Sequence, residues 1–180
     1  MFRFDELRLE QALQALTPHK RAVFALACAE RLRPLLGYPK VGASSSTLDT
    51  ALVALRVVVE SGSVGLDLAA AVQACEAGLD PDDDAVAALT YAYQVFAADT
   101  VDAAVFAARR GYEARDRLAT DQLAIEFTHP GAESTILSHA AVQDELRHQA
   151  EDLTLLAASD GNSTLVLDAA QRASGRIDAV

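Results

Sequence analysis

The residues best suited to chemistry lie late in the chain. Glu145-Leu146-Arg147-His148 sets a carboxylate and an imidazole three residues apart, and Asp152 follows His148 by one helical turn. On a helix this spacing puts all three on one face, the arrangement that di-iron bundles use with a second such unit and two further inward glutamates. Read as a lone unit it falls short of a site and leaves a His148–Asp152 surface pair as the conceivable metal ligand set. The competing reading is a solvated face, because Asp144, Glu145, Arg147, His148, Glu151 and Asp152 interleave with apolar positions. No bound metal or other cofactor is expected.

Other chemistries fare no better. Asp80, Asp82 and Asp84 match the first, third and fifth places of a calcium-binding loop, but Ala85 stands where glycine must turn the chain and Tyr91 where a glutamate must close the site. Helix capping explains these aspartates instead. There is no Gly-x-Ser-x-Gly for a hydrolase nucleophile. Gly62-Ser63-Val64-Gly65 is followed by no lysine and preceded by no strand, so it reads as a helix connector. Cys28 and Cys75 sit at apolar positions with nothing nearby to favour a thiolate. His19, His129 and His139 adjoin turns or helix starts and show no pairing by spacing. No catalytic residue is therefore assigned.

The elements that must position these residues are helices. Apolar periodicity predicts a first helix over Phe4 to Leu16, then a second with Thr17 as N-cap, Pro18 at its first position and Phe24, Cys28, Leu32 and Leu35 in register. After a Gly-, Pro- and Ser-rich loop from Gly37 to Ser46, a third helix spans Thr47 to Ser61. Its apolar face is widened by Val53, Val57 and Val58, which predicts a central place. A fourth carries Leu68, Val72, Cys75 and Leu79, and a fifth starts in Asp82-Asp83-Asp84. A long sixth runs from Thr100 to Phe127, with Gly111 as a place to bend, and His129-Pro130-Gly131 breaks the chain. A seventh spans Glu133 to Ala158, and an eighth segment, Ser163 to Arg172, follows Asp160-Gly161-Asn162. The expectation is an all-α fold: one compact helical bundle of seven or eight helices over 1–172, with a frayed tail over 173–180.

Composition bounds the function. The chain has 180 residues and a formal net charge of -11. Phosphate binding rests on clustered cations, so neither nucleic acid nor an anionic membrane is expected as partner, and a basic protein is. The longest apolar run, Val53 to Val59, is interrupted by Arg56 and is far short of a membrane span. The opening residues lack the features of a secretory signal, which predicts a cytoplasmic protein. Arg109, Arg110, Arg115 and Arg117 form a basic island on the sixth helix, either a solvated face or half of a homodimer surface that meets acidic patches of a second subunit.

Two stretches carry a resemblance. Arg21-Ala22-Val23-Phe24-Ala25-Leu26-Ala27-Cys28-Ala29-Glu30-Arg31-Leu32-Arg33-Pro34 resembles the early helix of the YjaG-like bacterial family (domain of unknown function 416). Ala141 to Leu156 is similar to that family's closing helix, and Phe4-Asp5-Glu6-Leu7-Arg8-Leu9 also fits. The likeness covers about half the chain. It implies a compact all-helical domain and brings no catalytic residues with it. Within it Glu30 and Arg31 join Glu145, His148 and Asp152 as the candidate functional surface. The structural alternative pairs Glu30 with Arg33 along the helix and lets Pro34 bend or end it. The expected function is a non-enzymatic, acidic protein-binding module, such as an inhibitor or immunity protein for a basic toxin. The alternatives are a metal-dependent helical enzyme using His148 and Asp152, or a homodimeric structural or regulatory domain.

Overall fold

Apolar stripes at helical spacing and well-placed caps build the observed architecture. The computed structural model describes residues 1–38, 46–62, 67–125 and 130–174. Among them it is all helical, with no strand: α1 (Glu6–Gln14), α2 (Pro18–Leu32), α3 (Ser46–Ser61), α4 (Asp67–Gly78), α5 (Asp84–Ala98), α6 (Val101–Leu123), α7 (Ala132–Ser138), α8 (Ala140–Ala158) and α9 (Ser163–Ser174), with 3-10 turns at Arg33–Leu35 and Asp160–Asn162. Outside the described residues lie 39–45 in the loop before α3, 63–66 in the next connector, 126–129, where the sixth helix is expected to end, and the tail over 175–180. Ala173 and Ser174 belong to α9.

The centre of the bundle is α2, not α3. Every residue of α2 from Lys20 to Leu32 is buried, and α5, α6, α8 and α9 all pack on it. It starts at the expected Thr17 cap, whose side chain accepts from the Lys20 N–H, and passes at Arg33 into the 3-10 turn that holds Pro34. On α3, by contrast, Val53 and Val57 are 62% and 58% exposed. The valine run reads as a wide apolar face, but α3 turns only Leu48, Ala51, Leu52, Leu55, Val58 and Val59 inward.

Arg21 ties three elements together. Its Nη1 donates to the carbonyls of Leu13 and Leu16 (3.3 and 2.5 Å), satisfying the C-terminal end of α1, and its Nη2 donates to Asp99 at 2.6 Å. Asp99 in turn ends α5 in the left-handed conformation (φ 52°).

The segment read as one helix from Glu133 to Ala158 is two. His139 has extended backbone (φ -62°, ψ 140°), and its Nδ1 accepts from the Ala141 N–H, so the imidazole caps α8 where a serine or aspartate would be recognised more readily. α6 runs unbroken through Gly111 to Leu123 and ends in a left-handed turn at Ala124 (φ 48°), with the Ala124 and Ile125 amides donating back to Asp121 and Thr120. Glycine is the usual residue there, because a Cβ crowds the backbone at positive φ. Ala124→Gly is therefore expected to stabilise the protein by about 0.5 kcal/mol in urea unfolding, the relief of strain exceeding the added entropy of the unfolded chain. A loss of stability would contradict this account of the α6 terminus.

Candidate functional site

The site grows from spacing on two helices. On α2 and the 3-10 turn after it Phe24, Cys28, Arg31 and Leu35 recur at steps of four, three and four, and on α8 Val142, Glu145, Gln149, Asp152 and Leu156 recur at three, four, three and four. Both series are core stripes by position, whatever the polarity of the side chains. Arg31 therefore enters the interior, where its side chain is 2% exposed, and meets Glu145 and Asp152, whose side chains are 1% and 6% exposed. The reading of Glu145 and Asp152 as a solvated face is thus overturned.

Arg31 donates from Nε and Nη2 to Glu145 at 3.1 Å each, a two-point grip, and from Nη1 to Asp152 Oδ2 at 2.6 Å. Its Nη2 also lies 3.5 Å from the Cys28 Sγ. Arg115 comes in from α6 and donates at 2.9 Å to the Arg31 carbonyl, one of the acceptors left open at the end of α2. Gln149 completes the shell, its Nε2 donating to Glu145 Oε1 (2.9 Å) and to the Ala108 carbonyl (3.0 Å). Among the described residues no buried side-chain polar atom lacks a partner.

Gly111 makes room for this. A Cβ there would lie 2.9 Å from Glu145 Oε1 and 3.3 Å from Gln149 Nε2. Those side-chain ends are pinned by Arg31 and by the α6 backbone, so they have little freedom to give way. The glycine serves close approach.

The two carboxylates titrate in opposite senses. Burial pushes Glu145 up, but the Arg31 charge and hydrogen bonds, with Arg115 and Gln149, outweigh it and hold the carboxyl below its ordinary value. Asp152 keeps one short bond to a guanidinium already engaged by Glu145, and burial pushes it up to about 6. The Arg31 guanidinium, penalised by burial, is held well above its usual value by Glu145 and Asp152. Arg115 is lowered by burial and by Arg31. Burial pushes the Cys28 thiol far up, and Cys75 up to about 11, so both are inert as nucleophiles at neutral pH.

The sequence-predicted residues divide. Arg31, Glu145 and Asp152 converge; His148 sits half-buried beside them, lowered by burial and by Arg31. Glu30 turns away, toward α3, where it is buried and raised by burial against the opposing pull of Arg56 and Arg33. The Arg33 guanidinium pairs with Asp49 on α3 at 2.6 Å. Asp152 faces Arg31 and not an open His148–Asp152 ligand pair, and among the described residues no three His, Cys, Asp or Glu side chains are grouped to hold a metal ion. The sequence does contain a second Glu-x-x-His, Glu126-Phe127-Thr128-His129, contrary to the lone-unit reading, and it lies outside the described residues. Arg115, Gln149 and Gly111 were missed as participants. By sequence Arg115 belongs to a basic island, which the fold dissolves: Arg109 pairs with Glu6, Arg110 and Arg117 with Asp84, and Arg115 is buried. Compared with known proteins, the chain matches no family model, no curated sequence and no solved structure.

The shifted Asp152 predicts a pH dependence. Between its ordinary 3.8 and about 6 the folded protein holds a proton that the unfolded chain releases, so this group's contribution to stability falls as pH rises through that window. Glu145 works the other way, its contribution present above the ordinary 4.5 and lost as pH falls through its lower folded value. Asp152→Asn removes only the first dependence. Its stability relative to the unsubstituted protein should improve by about 2–3 kcal/mol from pH ~4 to pH ~7 in urea unfolding. A constant difference across that range would refute the assignment.

Proposed function

We propose that this protein is a non-enzymatic binding module for a basic protein partner, with the Arg31 cluster as its internal framework and its acidic surface as the recognition element. One observation carries the reading: ten arginines of the chain are engaged by its own acceptors. Arg8, Arg21, Arg31, Arg33, Arg56, Arg109, Arg110, Arg117 and Arg147 each pair with a carboxylate of the same chain, and Arg115 with a backbone carbonyl. The excess of acid over base, a formal net charge of -11, is left without cations of the chain to answer it.

One end of the bundle gathers several of these acids. Asp80 and Asp82 are exposed in the turn before α5, Asp83 caps α5 and accepts from the Gly37 N–H at 2.7 Å, and Asp121 accepts from the Tyr38 hydroxyl at 2.9 Å. An acidic surface of this kind accelerates encounter with a basic partner and disfavours acidic ones. A toxin or nuclease with a cationic face is the partner class that fits. The two stretches resembling the YjaG-like family supply Arg31 on one side and Glu145 and Asp152 on the other, which supports reading the likeness as one of framework. No helix among the described residues is long and apolar enough to cross a membrane.

Affinity capture from the native host, at low and at moderate salt, tests the reading with the unsubstituted chain and with Asp80→Lys/Asp82→Lys. The expected result is a stoichiometric basic protein that dissociates as salt rises and binds at least about tenfold more weakly to the charge-reversed chain. No partner at either salt, or one indifferent to the reversal, would overturn it.

A further inference from the structure

The first residues do not trail into solvent. Phe2 is held at both backbone polar groups by one side chain: its N–H donates to Gln143 Oε1 at 2.8 Å, and its carbonyl accepts from Gln143 Nε2 at 3.0 Å. Two residues on, the Phe4 ring stacks on Tyr112, with centroids 5.2 Å apart and planes 11° from parallel. The same Gln143 Nε2 also donates to the Leu137 carbonyl at the end of α7, at 2.8 Å. One glutamine thus joins the N-terminal segment, α7 and α8.

What lies beneath is a satellite of the main core. Ala119, Ile136, Val142 and Leu146 form a small separate cluster, closed over by Phe4, Tyr112 and Leu137. α7 has seven residues, starts at Gly131 without a side-chain cap, and packs against α6 and α8. So short a helix has no stability of its own and depends on this cluster. The segment bridges the groove rather than filling it. A cleft of about 620 Å³ opens on one side, floored by Leu9, Leu146, Gln149 and Leu153, and one of about 490 Å³ on the other, beside Tyr112, Glu133 and Leu137.

We infer that Phe2 to Phe4 form a strap that controls the local opening of α7. With the strap seated, Phe4 completes the satellite cluster and α7 stays closed. With the strap released, α7 and its cluster open as a unit while the larger core around α2 remains shut. The opened face presents Tyr112, Ile136 and Leu146, with the Gln143 amide free of its strap backbone, so an apolar surface is made conditional on a cis contact. Gln149, which borders the larger cleft, also holds Glu145, so the same opening brings water to the edge of the Arg31 cluster.

Hydrogen exchange on the full chain tests this with two substitutions confined to the strap. Phe4→Ala removes the ring stacked on Tyr112; Phe2→Pro removes the donor to Gln143 at a residue 45% exposed, where folding is not at stake. Both are expected to speed exchange of the Thr135 to His139 amides by at least about tenfold, with α2 and α5 unchanged, as sub-global opening requires. Unchanged exchange in α7, or a similar acceleration throughout α2 and α5, would overturn the proposal.

Discussion

A guanidinium without water is the constraint around which this bundle is arranged. Arg31 lies on the most buried helix and is always charged, so its burial is tolerable only if every donor finds an acceptor and the charge is answered nearby. α8 answers with two carboxylates a helical stride of seven apart, and that stride obliges α8 to run alongside α2 in one register. An apolar pair of stripes would pack at several neighbouring registers; a forked cation between two fixed anions accepts one.

Close approach follows from the same demand. Glu145 reaches Arg31 only by lying against α6, and Ala104, Ala107, Ala108, Gly111 and Ala114 give that helix a small-residue surface on the buried side. Arg115 then closes the end of α2, and Gln149 fastens the Glu145 carboxylate to the α6 backbone. Three helices are joined by polar contacts at their centre, while leucines and valines fill the space around them.

Much of the fold could be read in the sequence, because caps and breakers act locally. Thr17-Pro18 marks the start of α2 and the aspartates mark the start of α5, and both hold. The α7–α8 break was hidden since an imidazole is a poor cap by type, and its capping depends on a geometry that no spacing rule expresses. α3 was misplaced because Val53 and Val57 are apolar yet lie on the outward side. The site is half legible: the sequence singles out Arg31, Glu145 and Asp152, but polarity makes the two carboxylates read as solvated. Their spacing already set them on the core stripes, and position decides burial when a partner is available. Arg115 and Gly111 come from a third helix, and pairings across such distances leave no mark in one sequence; Gln149, one turn from Glu145, stands on the same stripe and is legible by position.

Equilibrium unfolding of Arg31→Met compared with Arg31→Met/Glu145→Leu/Asp152→Leu tests the central claim most directly. Removing the cation alone strands two buried carboxylates and is predicted to cost about 3–5 kcal/mol, whereas removing all three charges together should restore most of that loss. A loss below about 1 kcal/mol for Arg31→Met, or no recovery in the triple variant, would contradict a framework built on this cluster.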